Sequence, residues 1–258
     1  MPPVADALGR VAAFGPHAAV VFGSGLAGVP PAAVVRAEFG YRELGWPCTA
    51  VAGHRSVLQL VEVTIGEAAG LRLALACGRP HGYEGWAPEE LERPVRSLAA
   101  TGVSRFVLTN SSGALRPMVT PGDIVACTAV VDLQSPPVGA APVGLGVCTA
   151  GEAAAVAAAL APSPARAGVY VAVAGPQFET PAEAAWLARH GDVVGMSAAP
   201  EVRAARAAGA ACCLLALVVN RAAAVGSHED VLAGGGRLAG TLAAGLGTVV
   251  TARWPGLV

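Results

Sequence analysis

Short apolar-rich runs recur along the chain at Ala18–Phe22, Val57–Val63, Leu71–Cys77, Arg105–Thr109, Ile124–Val131, Val169–Ala174 and Cys212–Val219. Several are apolar at every position, the pattern of strands covered on both faces. Helical stretches are expected between them, at Pro88–Ala100, Gly151–Leu160, Pro181–Arg189, Ala199–Ala208 and His228–Thr248. Pro88-Glu-Glu gives the first of these an acidic opening turn, and Thr180-Pro-Ala-Glu183 is a capping-box start with proline at the first helical position. Strands alternating with helices predict one α/β domain over residues 1–258, with a central mixed, mostly parallel sheet flanked by helices. The Pro/Gly-rich stretch Ser135–Gly146 reads as a loop within that domain.

Composition narrows the function. Hydrophobic residues make up 54% of the 258 positions and charged residues 14%, enough for a large core and against disorder. The net charge of −1 gives no electrostatic case for nucleic acid or an anionic membrane as partner. No apolar run is long enough to span a bilayer and no signal peptide is recognisable, so a cytoplasmic location is expected. The six cysteines, Cys48, Cys77, Cys127, Cys148, Cys212 and Cys213, form no C-x-x-C pair and no metal-ligand spacing, so buried free thiols are expected. The chain contains no lysine, so any anion site must use arginine, histidine, hydroxyls or backbone N–H groups. The sparsely charged surface points to oligomerisation.

Several motifs could carry chemistry at strand ends. Gly175-Pro-Gln-Phe178-Glu179-Thr180-Pro-Ala-Glu183 places a carboxylate and an aromatic ring between a strand and a helix, where α/β folds bind ligands. Glu179 suits a flat ligand that donates hydrogen bonds, or is a solvated loop acid. Gly23-Ser24-Gly25-Leu-Ala-Gly28 matches G-x-G-x-x-G, but Pro30-Pro31 interrupts the expected helix and no acid closes a second strand. A turn carrying Ser24 can cradle a phosphate, or is only a tight turn.

Gly78-Arg79-Pro-His81-Gly-Tyr83-Glu84 offers a planar fork of donors and an imidazole pointing the same way in extended chain, or else a structural Arg–Glu pair. Thr109-Asn110-Ser111-Ser112-Gly113 is a strand end with small residues that let a ligand approach the backbone. Val194-Gly195-Met196-Ser197 precedes a helix, where Ser197 reads as an N-cap or an anion contact. Asn220 closes a buried strand and requires partners; His228 follows as a ligand contact or the first turn of the last helix.

Taken in order, these motifs, with Gly53-His54 and Gly-Met-Ser-x-x-Pro-Glu-Val, resemble the trimeric purine nucleoside phosphorylases from about Val20 to Leu232. The resemblance implies a distorted barrel-like sheet, a homotrimer, and reversible phosphorolysis of a purine nucleoside to base and pentose 1-phosphate, with phosphate as co-substrate and neither cofactor nor metal. Carried over, Ser24, His54, Arg79, His81, Ser197 and the backbone N–H of Ser111 would bind phosphate. Glu179 and Asn220 would hold the purine between Phe178 and Val194, and Tyr83, Met196 and His228 would line the pentose. His81, Asn220 and Glu179 would carry the catalysis. An ionised Glu179 only accepts hydrogen bonds and so favours a 6-oxopurine over adenine.

The chain departs from the family in three places. Ser111-Ser112 stand where small apolar residues are usual. Val219 replaces a threonine before Asn220. The segment between Leu133 and Tyr170 is short, with no Phe, Tyr or Trp in Ser135–Leu160. An alternative follows: a specialised paralogue acting on a modified nucleoside, or one that runs in the synthetic direction. A non-catalytic nucleoside-binding protein and a nicotinamide-dependent oxidoreductase built on the Gly23–Gly28 turn are the competing classes.

Overall fold

The computed structural model describes residues 4–26, 33–134, 143–160, 165–224 and 227–251. In chain order these form α1 (Val4–Phe14), β1 (Ala18–Val21), β2 (Ala33–Gly40), β3 (Val57–Val63), β4 (Arg72–Cys77), α2 (Pro88–Ala100), β5 (Arg105–Ala114) and β6 (Ile124–Asp132). They continue with β7 (Val143–Gly146), α3 (Ala150–Ala159), β8 (Ala165–Ala172), α4 (Pro181–Leu187), β9 (Val193–Gly195), α5 (Ala199–Ala207), β10 (Ala211–Arg221) and α6 (His228–Thr251).

The five expected helices and seven expected strands are all present, Pro88–Ala100 and Val57–Val63 with the same ends and the others with shifted ones. Three strands and one helix are additional. In β2, Val34, Val35 and Arg36 are exposed, so no buried face marks it in sequence. β9 has only three residues, too few for a period. Val143–Gly146 of the expected loop pairs with β6 as a strand, while residues 135–142 lie outside the described residues. α1 buries only Ala7 and Val11.

The strands join in one mixed sheet. β10, β6, β8, β9 and β5 form a closed ring, because β10 also pairs with β5; β1, β4, β3 and β2 extend outward from β5. Parallel pairings are five of the ten among the described residues, half rather than most. They include the run β4–β1–β5–β10, whose carboxyl ends therefore share one edge.

The continuous apolar runs have a direct cause. In β10, Cys212, Leu214, Ala216 and Val218 enter one core cluster with α1, α2 and α5, while Cys213, Leu215 and Leu217 enter another with α3 and α6. β1 divides likewise, Ala19 and Val21 against Ala18 and Val20. A strand with helices on both faces has no solvent side to mark its period of two. The cysteines are free thiols, and burial pushes Cys77 up to about 11. No helix among the described residues is long and apolar enough to cross a membrane.

Candidate functional site

The shared strand edge opens into a cavity of about 300 Å³. Each of the four parallel strands delivers one motif to it: Ser24 after β1, Arg79 and His81 after β4, Asn110–Gly113 in β5, and Asn220 near the end of β10. The ring closure adds the fourth wall. Gly113 pairs on one side with Val194 of β9 and on the other with Asn220 of β10. A bulge at Val219, where the β10–β5 register skips, re-aims Asn220 at the sheet edge. Phe178 and Glu179, between β8 and α4, complete the lining with Tyr83, Met196, Ser197 and His228.

All the residues singled out from sequence line this cavity except His54, which sits directly behind it. The Arg79 backbone N–H donates to His54 Nδ1 at 3.1 Å, and His54 Nε2 lies 2.9 Å from Ser24 Oγ. Burial, reinforced by the nearby His81 and Arg79, pushes His54 down to about 3, so its ring is neutral. With Nδ1 accepting, the proton is on Nε2, which donates to Ser24 Oγ. The Ser24 hydroxyl is left free to donate elsewhere.

Arg79 is 2% exposed. Its Nη1 donates to the Thr109 carbonyl at 2.6 Å and to Ser197 Oγ at 3.2 Å, and its Nε lies 2.7 Å from a Glu201 carboxylate oxygen. That last contact is a close ion pair whose N–H is not aligned on the oxygen, and Nη2 is buried with no partner at all. A buried guanidinium edge without a partner is costly in isolation, and an anion is the group that would satisfy it.

His81 is held differently. Its backbone N–H donates to Glu84 at 2.8 Å, its ring Nδ1 is 3.4 Å from the same oxygen, and it stacks on Tyr83 at 4.8 Å. Burial alone would raise Glu84. Hydrogen bonds from the His81 side chain, the Ala50 and His81 backbone N–H groups and the Thr49 hydroxyl hold it instead at about 2. The Arg–Glu pair offered as the alternative does not form within this motif: Glu84 pairs with His81 and Arg79 with Glu201, while Arg79 and His81 both line the cavity.

Close backbone approach explains the glycines here. A Cβ on Gly23 would lie 2.7 Å from Asn110 Cα, and Gly78 has φ +120° with a Cβ position 2.8 Å from His54 Cβ. Two expectations need correcting. The N-cap of α5 is Ala198, not Ser197, whose side chain turns to Arg79. The two extra hydroxyls also do not simply add polarity to the cavity: Ser111 donates to the Ser24 carbonyl at 2.9 Å and Ser112 to Asn110 Oδ1 at 2.8 Å. Glu179 is raised above the usual carboxylate range, first by burial. Asn110 and Glu201 stand within motifs legible in the sequence but without a role there; Glu201 is 6% exposed, and its signal is a charged residue inside an otherwise small and apolar helix turn.

The model of the phosphorylase superfamily matches residues 32–250. The purine nucleoside phosphorylase of Mycobacterium leprae is 38% identical over 226 residues, covering 84% of this chain and 82% of that protein. A crystal structure of Schistosoma purine nucleoside phosphorylase in complex with hypoxanthine superposes with a TM-score of 0.77 at 26% identity, covering 96% of this chain and 94% of the other. The Schistosoma mansoni enzyme in complex with adenosine gives 0.74 at 26% identity, covering 95% and 96%. The chain belongs to the phosphorylase superfamily and, within it, to the purine nucleoside phosphorylases. It is an enzyme of the pentosyltransferase type.

Proposed function

We propose that this chain catalyses reversible phosphorolysis of purine nucleosides, with 6-oxopurines preferred over adenine and inorganic phosphate as co-substrate. The observation that carries the reading is the buried, unpartnered Arg79 Nη2 in a cavity that Ser24, His81, Ser197, Glu179 and Asn220 line together.

Cleaving a glycosidic bond leaves positive charge on the pentose and negative charge on the departing purine. In this reading Arg79, His81, Ser24 and Ser197 hold phosphate against the developing cation, which phosphate then attacks. The neutral His54 leaves the Ser24 proton available to a phosphate oxygen. The Asn220 amide donates to the purine nitrogen where charge collects, a preorganised bond of the kind worth roughly 3–4 kcal/mol. Glu179, when ionised, accepts from the ring N–H of guanine or hypoxanthine and has nothing to offer the bare acceptor of adenine. Phe178 and Val194 flank the base, and Tyr83, Met196 and His228 line the pentose.

Incubation with inosine or guanosine plus phosphate tests the reading. Free base and pentose 1-phosphate are expected, faster than from adenosine. No turnover of any purine nucleoside overturns the activity, and adenosine turned over as fast as inosine overturns the preference.

A further inference from the structure

Three protein groups converge on the Arg79 guanidinium, and two of them, Thr109 and Glu201, do not line the cavity. Thr109 and Ser197 hold Nη1, Nη2 is buried with no hydrogen-bond partner, and Glu201 Oε1 sits 2.7 Å from Nε. Glu201 is in the first turn of α5, is 6% exposed, and does not line the cavity. A carboxylate buried this deeply is expensive to desolvate unless paired, and Arg79 is its cationic contact.

The backbone between Ser197 and Glu201 is built around the same arginine. Ala198, fully buried, has φ +68° and ψ −31°, and the Ala199 N–H donates to the Ser197 carbonyl at 2.9 Å. A three-residue turn of this hand is unfavourable for an L-residue and persists only where surrounding structure holds it. Here the Ser197 N–H donates to the Tyr170 hydroxyl at 3.3 Å, while both Ser197 Oγ and Glu201 face Arg79.

We propose that Glu201 is a positioning residue for phosphate. It fixes the guanidinium of Arg79, which lines the cavity, so that the unpartnered Nη2 is held ready before the anion arrives. The inference rests on the phosphorylase reading, and it concerns shape more than charge. The Oε1 contact to Nε leaves the guanidinium one rotational setting, and a Gln at 201 can keep an oxygen in that place, whereas Asp keeps the charge but draws it back by one methylene.

The test is calorimetric titration of the whole protein with inorganic phosphate, alongside KM for phosphate and for nucleoside. Glu201→Asp is expected to weaken phosphate binding about 10-fold or more, the scale of disturbing one close buried ion pair, with nucleoside KM changed by less than about twofold. Glu201→Gln is expected to stay within about threefold of wild type. The reverse ranking, with Asp at wild-type affinity and Gln shifted, overturns positioning in favour of a pure counter-charge. Equal losses for phosphate and nucleoside overturn it in favour of a general structural role. Should Glu201→Gln fail to fold by circular dichroism, unchanged phosphate affinity in Glu201→Asp alone overturns the proposal. A wild-type protein that binds no phosphate sinks the phosphorylase reading itself, which the variant ranking does not touch.

Discussion

His54 donates from Nε2 to Ser24 Oγ at 2.9 Å because the Arg79 backbone N–H occupies its other nitrogen. One imidazole thus joins the loops after β1 and β4, and it does so only while neutral. Its value of about 3 against an ordinary 6.5 fixes the sign of a pH effect. Between those values the unfolded chain binds a proton that the folded chain refuses, so stability is full above pH 6.5 and declines as pH falls towards 3. The contribution has a slope of at most about 1.4 kcal/mol per pH unit. The Glu84 contribution lies lower, lost only as pH falls from 4.5 towards 2. His54→Asn is therefore expected to flatten the stability profile between pH 6.5 and 4.5, measured by urea denaturation. A variant whose profile runs parallel to wild type counts against this assignment.

Asn220 is set by the bulge at Val219 rather than by strand pairing alone. Its amide donates to the Arg221 carbonyl at 3.1 Å, and in the phosphorylase reading it turns to the leaving base, a donor that alanine removes. Asn220→Ala is expected to lower kcat about 10²- to 10³-fold, with phosphate affinity retained. Steady-state kinetics with inosine and phosphate titration check both halves, and a loss confined to phosphate binding contradicts the assignment.

In the phosphorylase reading, Glu179 distinguishes bases by accepting only. Glu179→Gln adds a donor at the same place and removes the charge, so the inosine-to-adenosine ratio of kcat/KM is expected to fall roughly 10- to 100-fold. Because burial raises Glu179, wild-type nucleoside KM is expected to rise on acidification sooner than for an ordinary carboxylate. An unchanged substrate ratio in the variant rules Glu179 out as the base-reading group.

Two adjacent glycines of α6 make a matched test of close packing. A Cβ on Gly235 would lie 2.7 Å from the Ser24 carbonyl oxygen and 3.3 Å from Gly25 Cα, while one on Gly236 meets nothing within 4 Å. Gly235→Ala is expected to destabilise by about 1–3 kcal/mol and to weaken phosphate binding by moving the Ser24 loop. Gly236→Ala is expected to stabilise by up to about 1 kcal/mol through helix propensity alone. Equal effects at the two positions, in urea denaturation, contradict the packing account.

The sequence by itself determined the strand-and-helix alternation and most of the cavity lining, because those signals are local. A run such as Leu214–Val218 is apolar throughout since both faces are covered, and Thr180 to Glu183 carries its own cap. Motifs at the ends of β1, β4, β5 and β10 could be read one at a time without knowing that parallel pairing brings them to one edge.

Tertiary structure decided what depends on distant neighbours. β9 exists as a strand only because β5 and β8 flank it, and its pairing beside Asn220 closes the ring. The Ser111 hydroxyl is taken up by the Ser24 carbonyl, 87 residues away in sequence, and not by the cavity. Glu201 meets Arg79 across the interior, where a charge is tolerable only when paired; no spacing along the chain encodes that pairing.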